Sequence, residues 1–235
     1  MFEALIFDLD NTLLDRLAAQ RRWSEEFAVR WLESPTEPAI SRAAEDLMEL
    51  DAYGYISREN FAEGVLQRFP QWQSPQWVAE DGLPGSVNQA ERMAALLVEY
   101  RRKLISFYPR NEAVCDLVER LRQRFRLGIV SNGRVSSQWP KMERAGLDSS
   151  FEAIAISEEV GFEKPHAEPF LSVLRSLEVA PENSIYIGDN PDHDIAGAAA
   201  VGMKTCWVAL GRSFSDDHVR PDFIIESVLD LEDVL

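Results

Sequence analysis

The chain has 235 residues, of which 46% are hydrophobic and 27% charged, and its formal net charge is -16. This composition is typical of a globular protein and excludes a disordered chain, because the apolar content can offset the entropy of ordering. The acidic balance argues against nucleic acid as a partner, since a polyanion needs a basic surface on which to release its counterions.

The two cysteines, Cys115 and Cys206, lie in apolar stretches and do not indicate a disulfide framework. The amino terminus carries no basic segment before Asp8, which does not fit a signal peptide. No uncharged apolar run approaches the roughly 18 residues of a membrane helix. We therefore expect a cytoplasmic protein without a membrane partner, either a monomer or a homodimer.

Short apolar runs predict buried strands at residues 5–7, 127–130, 185–187, 206–210 and 223–225. Helical patterns alternate with the later runs, at residues 113–125, 137–145, 168–177 and 192–201. Such alternation predicts an α/β fold in which right-handed crossovers build a parallel sheet.

Residues 16–107 interrupt this alternation, because helical patterns dominate there and no convincing strand run occurs. The segment is predicted to be an inserted helical bundle. Its helices are predicted over residues 17–32, from Ser57 to residue 69, and from a capping box of Ser86 and Gln89 toward residue 107. Prolines and glycines within 70–85 mark a loop before the last helix, and Tyr108 with Pro109 marks the return to the sheet. The predicted domains are therefore a core of residues 1–15 and 108–235 and an insertion of residues 16–107.

Two carboxylates, Asp8 and Asp10, directly follow the first predicted strand. They would lie at the carboxyl end of a parallel sheet, which is where open α/β folds bind ligands. Residues two apart at a strand end point the same way, so both can face one phosphorus atom while Leu9 turns into the core. The pair suits a nucleophile and a proton shuttle. The alternative is an acidic pair that only ends a strand and caps a turn.

Three later segments add polar groups of the same chemistry. The Ser131 hydroxyl and nearby backbone amides suit phosphate oxygens, the Lys164 ammonium suits phosphoryl charge, and Asp189 offers the hard oxygen ligands that Mg²⁺ prefers. Each also has an ordinary interpretation: a turn at 131–133, a surface lysine before a proline, and acids that complement a helix dipole.

Taken in order, the segments D-x-D-x-T, S-N-G, K-P and G-D-N-P-D-H-D resemble the four motifs of the haloacid dehalogenase (HAD) superfamily. The resemblance covers the whole chain and implies a doubly wound, Rossmann-like parallel sheet. In one class, termed C1, a helical cap is inserted after the first motif, as residues 16–107 would be. A narrower likeness, through Gln138, Lys141 and residues 156–161, is to the branch of pyrimidine 5'-nucleotidases and N-acylneuraminate-9-phosphatases.

The resemblance implies a Mg²⁺-dependent phosphatase that hydrolyses a small phosphorylated metabolite, such as a nucleotide or a sugar phosphate. Asp8 would be the nucleophile that becomes an aspartyl phosphate, and Asp10 the general acid and base. The metal would be held by Asp8, the Asp10 backbone carbonyl and Asp189, with Asp194 and Asn190 behind them. The phosphoryl oxygens would be bound by Thr12, Ser131, Asn132 and Lys164.

Several alternatives remain. Asp10 favours a phosphate ester over a haloacid, because the dehalogenases of the superfamily need no acid for a halide and usually lack this residue. Phosphonate cleavage would need a Schiff-base lysine, and the insertion contains only Lys103. A sugar phosphomutase shares the same nucleophile and acid. A non-catalytic binding module or a receiver-like switch phosphorylated on one aspartate would also keep the scaffold.

Substrate specificity is expected to come from the insertion, where Arg16, Arg22 and Trp23 closely follow the first motif. An arginine there would suit a second anionic group of the substrate. Each of the three is equally compatible with a solvated helix face or with core packing.

Overall fold

The structure is a computed structural model that describes residues 2–70 and 88–235. The chain divides into two compact units. The sheet unit consists of Met1–Arg16 with Tyr108–Leu235, and the helical unit is Leu17–Phe107. The predicted cap at Ser86 and most of the predicted loop over 70–85 lie outside the described residues.

The sheet unit is built on six parallel strands in the order β3-β2-β1-β4-β5-β6. The strands are β1 Ala4–Phe7, β2 Arg126–Ser131, β3 Ala153–Ile156, β4 Ser184–Gly188, β5 Lys204–Val208 and β6 Phe223–Ile225. Phe7 pairs with Ile129 on one side and Ile187 on the other, so β1, β2 and β4 end at the same edge. The predicted parallel α/β sheet is confirmed.

The α-helices in chain order are α1 Arg16–Trp31, α2 Glu37–Asp51, α3 Arg58–Arg68, α4 Gln89–Phe107, α5 Glu112–Leu121, α6 Val135–Ala145, α7 Ser157–Val160, α8 Ala167–Leu177 and α9 Ala196–Ala200. A π-helical turn, Pro191–Ile195, precedes α9. Among the described helices, none is long and apolar enough to cross a membrane.

Helix starts follow local capping chemistry. Ser57 caps α3 as predicted, since its hydroxyl accepts from the Asn60 N–H at 3.2 Å. At the start of α4, the Asn88 side chain accepts from the Glu91 N–H at 3.0 Å, while the Glu91 carboxylate accepts from the Asn88 N–H at 2.9 Å. This reciprocal pair fixes the start of the longest helix in the described helical unit.

Three elements differ from the sequence prediction. Helix α2 was not predicted, because Pro35 and Pro38 suggested a helix end, whereas Pro38 occupies the first turn, where a missing N–H costs nothing. Strand β3 was not predicted either, because its sequence A-I-A-I lacks a run of large apolar residues. Strand β5 ends at Val208 rather than residue 210, since Leu210 has a left-handed backbone with φ 51.

The sheet packs tightly where α8 crosses it. Gly128 of β2 lies so close to α8 that a Cβ there would stand 2.5 Å from Val173 Cγ1. Phe170 of α8 also packs edge-on against Tyr186 of β4, with ring centroids 5.0 Å apart. This packing holds β2 and β4 on either side of β1, which fixes where their polar ends meet.

Candidate active site

The carboxyl end of β1 places Asp8 and Asp10 in a tight turn. The Asp8 N–H still bonds to Ile187 O of β4, at 2.8 Å, after which the Leu13 and Leu14 N–H groups both donate to Leu9 O. Leu9 is fully buried, whereas the carboxylates of Asp8 and Asp10 contact Lys164 and Lys141 of the site. The alternation expected from strand geometry is therefore present at this strand end.

Asp8, Asp189 and Asp194 form a buried cluster of carboxylates. One ligand oxygen from each lies within 4.8 Å of the other two. Asp189 directly follows β4, and Asp194 lies in the π-helical turn after it. Gly188 makes room for this arrangement, because a Cβ there would stand 2.5 Å from the Asp194 carboxylate.

Lys164 lies between two of these carboxylates. Its Nζ donates to Asp8 Oδ1 at 2.5 Å and to Asp194 Oδ1 at 2.7 Å. The Tyr186 hydroxyl oxygen and Val130 O also lie 3.0 Å from Nζ, so the three N–H groups of the ammonium are shared among four oxygens. The sequence prediction of a phosphate-binding lysine thus falls on a fully buried ammonium that already contacts the expected nucleophile.

Asn132, predicted to bind phosphate, uses its side chain to hold Lys164. Its Oδ1 accepts from the Lys164 N–H at 2.8 Å, and its Nδ2 donates to Lys164 O at 3.1 Å. The Asn132 amide side chain therefore positions the lysine backbone, and what it retains for a phosphate is its main-chain N–H.

The electrostatics of the cluster favour a bound cation. Burial raises the pKa of Asp8, Lys164 lowers it, and the charges of Asp194 and Asp189 raise it again, so that the net pKa is well above the ordinary value. Burial lowers the pKa of Lys164, but Asp194 and Asp8 outweigh this and raise it. Lys164 and Arg212, which contacts Asp189, together leave one negative charge of the three ionised carboxylates uncompensated.

The oxygen atoms that remain for a ligand fit Mg²⁺. In the described part of the chain, Asp8 accepts a side-chain hydrogen bond only at Oδ1. Asp194 uses both oxygens within the protein, Oδ1 for Lys164 and Tyr186 and Oδ2 for the Asn190 N–H at 2.9 Å. Oxygen donors of this kind suit Mg²⁺, which takes one or two carboxylates and keeps several waters. Asp194 therefore fits a supporting position rather than that of a direct ligand.

Asn190 has a structural task in addition to the supporting role predicted for it. Its Oδ1 accepts from the Asp192 and His193 N–H groups, each at 2.9 Å, and so caps the π-helical turn. This cap fixes the turn that carries Asp194. The Asn190 side chain therefore acts on the cluster through Asp194.

Asp10 has a separate environment. Lys141 Nζ of α6 lies 2.5 Å from Asp10 Oδ2, and the Tyr108 hydroxyl donates to Oδ1 at 2.6 Å. Burial raises the pKa of Asp10, but the charges of Lys141 and Arg16 and these two hydrogen bonds outweigh it, so the pKa is lowered. Asp10 is thus held ionised while its neighbour Asp8 is pushed toward protonation.

The two predicted hydroxyls are buried. Ser131 Oγ accepts from Gln138 Nε2 at 2.9 Å, which leaves its own proton to donate. Thr12 Oγ1 is buried and has no hydrogen-bond partner within residues 2–70 and 88–235. Buried polar groups are normally paired, so the Thr12 hydroxyl is available to a ligand or to water.

The three predicted specificity residues lie in different environments. Arg16 is buried in the sheet unit and acts on Asp10, whereas Arg22 is exposed and stacks over the Phe107 ring at 4.8 Å. Trp23 is buried, stacking on Phe27 at 4.9 Å and meeting Tyr100 edge-on at 4.8 Å. Trp23 therefore belongs to the core of the helical unit, which is the packing role left open by the sequence.

Arg212 was not found from the sequence. Its guanidinium donates to Asp189 O at 2.7 Å and to Asp189 Oδ2 at 3.2 Å. Tyr108, Gln138, Lys141 and Tyr186 likewise contact predicted site residues. Gln138 and Lys141 had been noted only for a family likeness, and no local pattern marks Arg212.

A doubly wound parallel sheet with buried carboxylates and a lysine at its carboxyl edge defines a Rossmann-like enzyme with an acidic centre. The sequence profile of the haloacid dehalogenase-like hydrolases matches residues 2–202. The chain therefore belongs to this family of hydrolases, and the predicted superfamily is confirmed. The narrower nucleotidase branch stays a prediction.

Known proteins similar to the chain include phosphatases. The glyceraldehyde 3-phosphate phosphatase of Methanopyrus kandleri is 30% identical, covering 100% of this chain and 97% of the relative. The phosphoserine phosphatase of Thermus thermophilus is also 30% identical, covering 93% of each chain. The crystal structure of the HAD-hydrolase YfnB of Bacillus subtilis, bound to magnesium, superposes with a TM-score of 0.71 at 26% identity, covering 100% of this chain and 98% of that one.

Proposed function

We propose that this haloacid dehalogenase-like phosphatase hydrolyses a small phosphorylated metabolite in two steps, through a phosphoryl group carried on Asp8, and that it depends on Mg²⁺. The observation that carries the proposal is the contrast between Asp8 and Asp10. One carboxylate contacts Lys164 within an acidic cluster, and the other is held ionised by Lys141. The phosphatases among its relatives support the same reaction class.

In the first step, a carboxylate oxygen of Asp8 attacks phosphorus, the Asp8 O–P bond forms and the bond from phosphorus to the leaving oxygen breaks. Lys164 holds Asp8 Oδ1 at 2.5 Å, which orients Oδ2 for the attack. Asp10 gives a proton to the leaving oxygen. In the second step, Asp10 removes a proton from water, which attacks phosphorus and releases phosphate and Asp8.

Asp8, Asp189 and the Asp10 backbone carbonyl would hold the metal, with Asp194 and Asn190 fixing the surrounding turn. Bound Mg²⁺ would offset the repulsion between an anionic nucleophile and an anionic phosphoryl group. The magnesium-bound crystal structure of the similar HAD-hydrolase YfnB supports this choice of ion.

The phosphoryl oxygens would be bound by donors that are already in place. Ser131 and Thr12 would offer hydroxyls, and the main-chain N–H groups around Leu9 and Asn132 would complete the set. Lys164, whose N–H groups already meet protein oxygens, would contribute its positive charge. Donors fixed before the reaction stabilise the charge that spreads over these oxygens in the transition state.

The lowered pKa of Asp10 suits the second step directly, because an ionised carboxylate is the base. The first step needs its protonated form. An arriving phosphoryl group brings negative charge beside Asp10 and so raises its pKa. The same carboxylate can therefore alternate between acid and base as the phosphoryl group arrives and leaves.

We further propose that Leu17–Phe107 acts as the cap that selects the substrate, with Arg16 and Arg22 as candidates to contact a second anionic or polar group of it. The relatives' small substrates, glyceraldehyde 3-phosphate and phosphoserine, favour a short polar phosphate monoester. An unchanged substrate profile in both Arg16→Ala and Arg22→Ala would contradict this assignment.

The function is tested by measuring phosphate release from phosphorylated trioses, amino acids, sugars and nucleosides in the presence of Mg²⁺. We expect turnover in the wild type and in the matched surface variant Asp148→Asn, and its loss in Asp8→Asn. Turnover that survives in Asp8→Asn would contradict the nucleophile. Sustained phosphate release without a bisphosphate activator would separate a phosphatase from a phosphomutase.

A further inference from the structure

We propose that Lys141 and Tyr108 are positioning residues that fix the Asp10 carboxylate in the orientation from which it exchanges a proton with the leaving group. The inference rests on the proposed function, in which Asp10 is the acid. Both residues lie outside the four sequence motifs. The geometry that carries it is a bond to each carboxylate oxygen, Lys141 Nζ to Oδ2 at 2.5 Å and the Tyr108 hydroxyl to Oδ1 at 2.6 Å.

The two donors are themselves rigidly held. Lys141 projects from α6 and is buried, and Tyr108 is fully buried. The Lys141 ammonium lies 5.2 Å from the centre of the Tyr108 ring, within cation–π range. The Tyr108 carbonyl oxygen accepts from Arg144 Nε, one turn further along α6, at 3.0 Å. Asp10, Lys141 and Tyr108 thus form a closed set of contacts anchored to one helix.

Bonds to both oxygens restrain the rotation of the Asp10 carboxylate about its Cβ–Cγ bond, because turning it would break both. Each carboxylate oxygen has two lone pairs, so one remains on each for the proton of the leaving group or of water. Asp8 is restrained differently, through Oδ1 alone in the described residues. Two identical side chains, two positions apart, are therefore assigned different tasks by their neighbours.

The test compares two aryl phosphates that differ in how much they need a proton. p-Nitrophenolate leaves readily as an anion, whereas phenolate is a poorer leaving group and gains more from the acid. We expect Lys141→Met and Tyr108→Phe to lower kcat/KM for phenyl phosphate about tenfold or more, and that for p-nitrophenyl phosphate by less than about threefold. The matched variant Lys204→Met, at an exposed ion pair on β5, should change neither.

Equal losses on both substrates, or no loss on either, would overturn the positioning role while leaving the phosphatase intact. A wild type that hydrolyses neither substrate would instead contradict the proposed function on which the inference rests. Tyr108→Phe removes one oxygen and keeps the buried ring, so it decides the question if Lys141→Met does not fold.

Discussion

Arg212 donates to both the carbonyl oxygen and the carboxylate of Asp189, at 2.7 Å and 3.2 Å, and so holds the expected metal ligand at two points. Both bonds come from Nη2, while Nε of the same planar guanidinium donates to Ala209 O at 2.9 Å. An ammonium on a flexible stem cannot reproduce this geometry. The loop after β5 is thereby tied to the loop after β4.

Arg212→Lys keeps the positive charge but replaces the planar guanidinium with an ammonium. We expect it to raise the Kd for Mg²⁺ about tenfold, as is typical when a partner of a metal ligand is altered. Isothermal titration of the variant with MgCl2 measures this directly, without relying on turnover. Arg220→Lys, at an exposed position, is the matched control. An unchanged Kd in Arg212→Lys would show that Asp189 needs no such support.

The charges around the site predict that metal and phosphate bind cooperatively. Four carboxylates, Asp8, Asp10, Asp189 and Asp194, are accompanied by four cations, Arg16, Lys141, Lys164 and Arg212. When all eight side chains are ionised, their net charge is zero. Mg²⁺ alone or phosphate alone would therefore leave an excess charge in the site, whereas the two ions together would restore neutrality. We expect saturating inorganic phosphate to lower the Kd for Mg²⁺ about tenfold, and Mg²⁺ to tighten phosphate equally. Independent binding in calorimetric titrations would contradict this coupling.

Gln138 is expected to control the direction of the Ser131 proton. Its Nε2 donates to Ser131 Oγ at 2.9 Å and to Asn132 O at 2.7 Å. In Gln138→Glu the group facing Ser131 becomes an acceptor, which draws the serine proton away from the phosphate and adds a negative charge. We predict a KM for the phosphate ester about tenfold higher or more, corresponding to loss of a hydrogen bond to a charged group. Gln123→Glu, on an exposed turn, should leave KM unchanged. An equal rise of KM in both variants would mean that the added negative charge alone causes the effect, and would contradict the role of Gln138.

The buried thiol of Cys206 predicts a pH dependence of stability. Burial raises its pKa from 9.0 to about 12. The folded protein keeps this proton while the unfolded chain loses it, so the contribution is complete below about pH 8.5 and is lost as the pH rises toward about 12. We expect the free energy of unfolding, measured by urea titration, to fall more steeply between about pH 9 and about pH 11 in the wild type than in Cys206→Ala. If the free energy of unfolding falls equally steeply with pH in the wild type and in Cys206→Ala, the prediction is wrong.

The sequence was sufficient to predict that Asp8, Ser131 and Asp189 lie at one edge of the sheet, because each follows or ends an apolar run and parallel strands end at the same edge. Lys164 was predicted from its family pattern, and its four contacts could not be deduced from spacing. Lys141 is 131 residues from Asp10, and helical periodicity alone does not say which side chain of α6 reaches the end of β1. Arg212 could not be predicted either, because it contacts Asp189 from an irregular loop after β5, where there is no periodicity to use.

The helical insertion leaves the sheet unit after Arg16 and rejoins it at Tyr108, and both of these residues act on Asp10. The two junction residues therefore both belong to the environment of Asp10. A graft that replaces only Leu17–Phe107 with the corresponding segment of a relative would keep both of these residues. Cutting one residue further on either side would remove the Arg16 charge or the Tyr108 hydroxyl, so chimeras made at these two boundaries retain the neighbours of the proposed acid while exchanging the proposed cap.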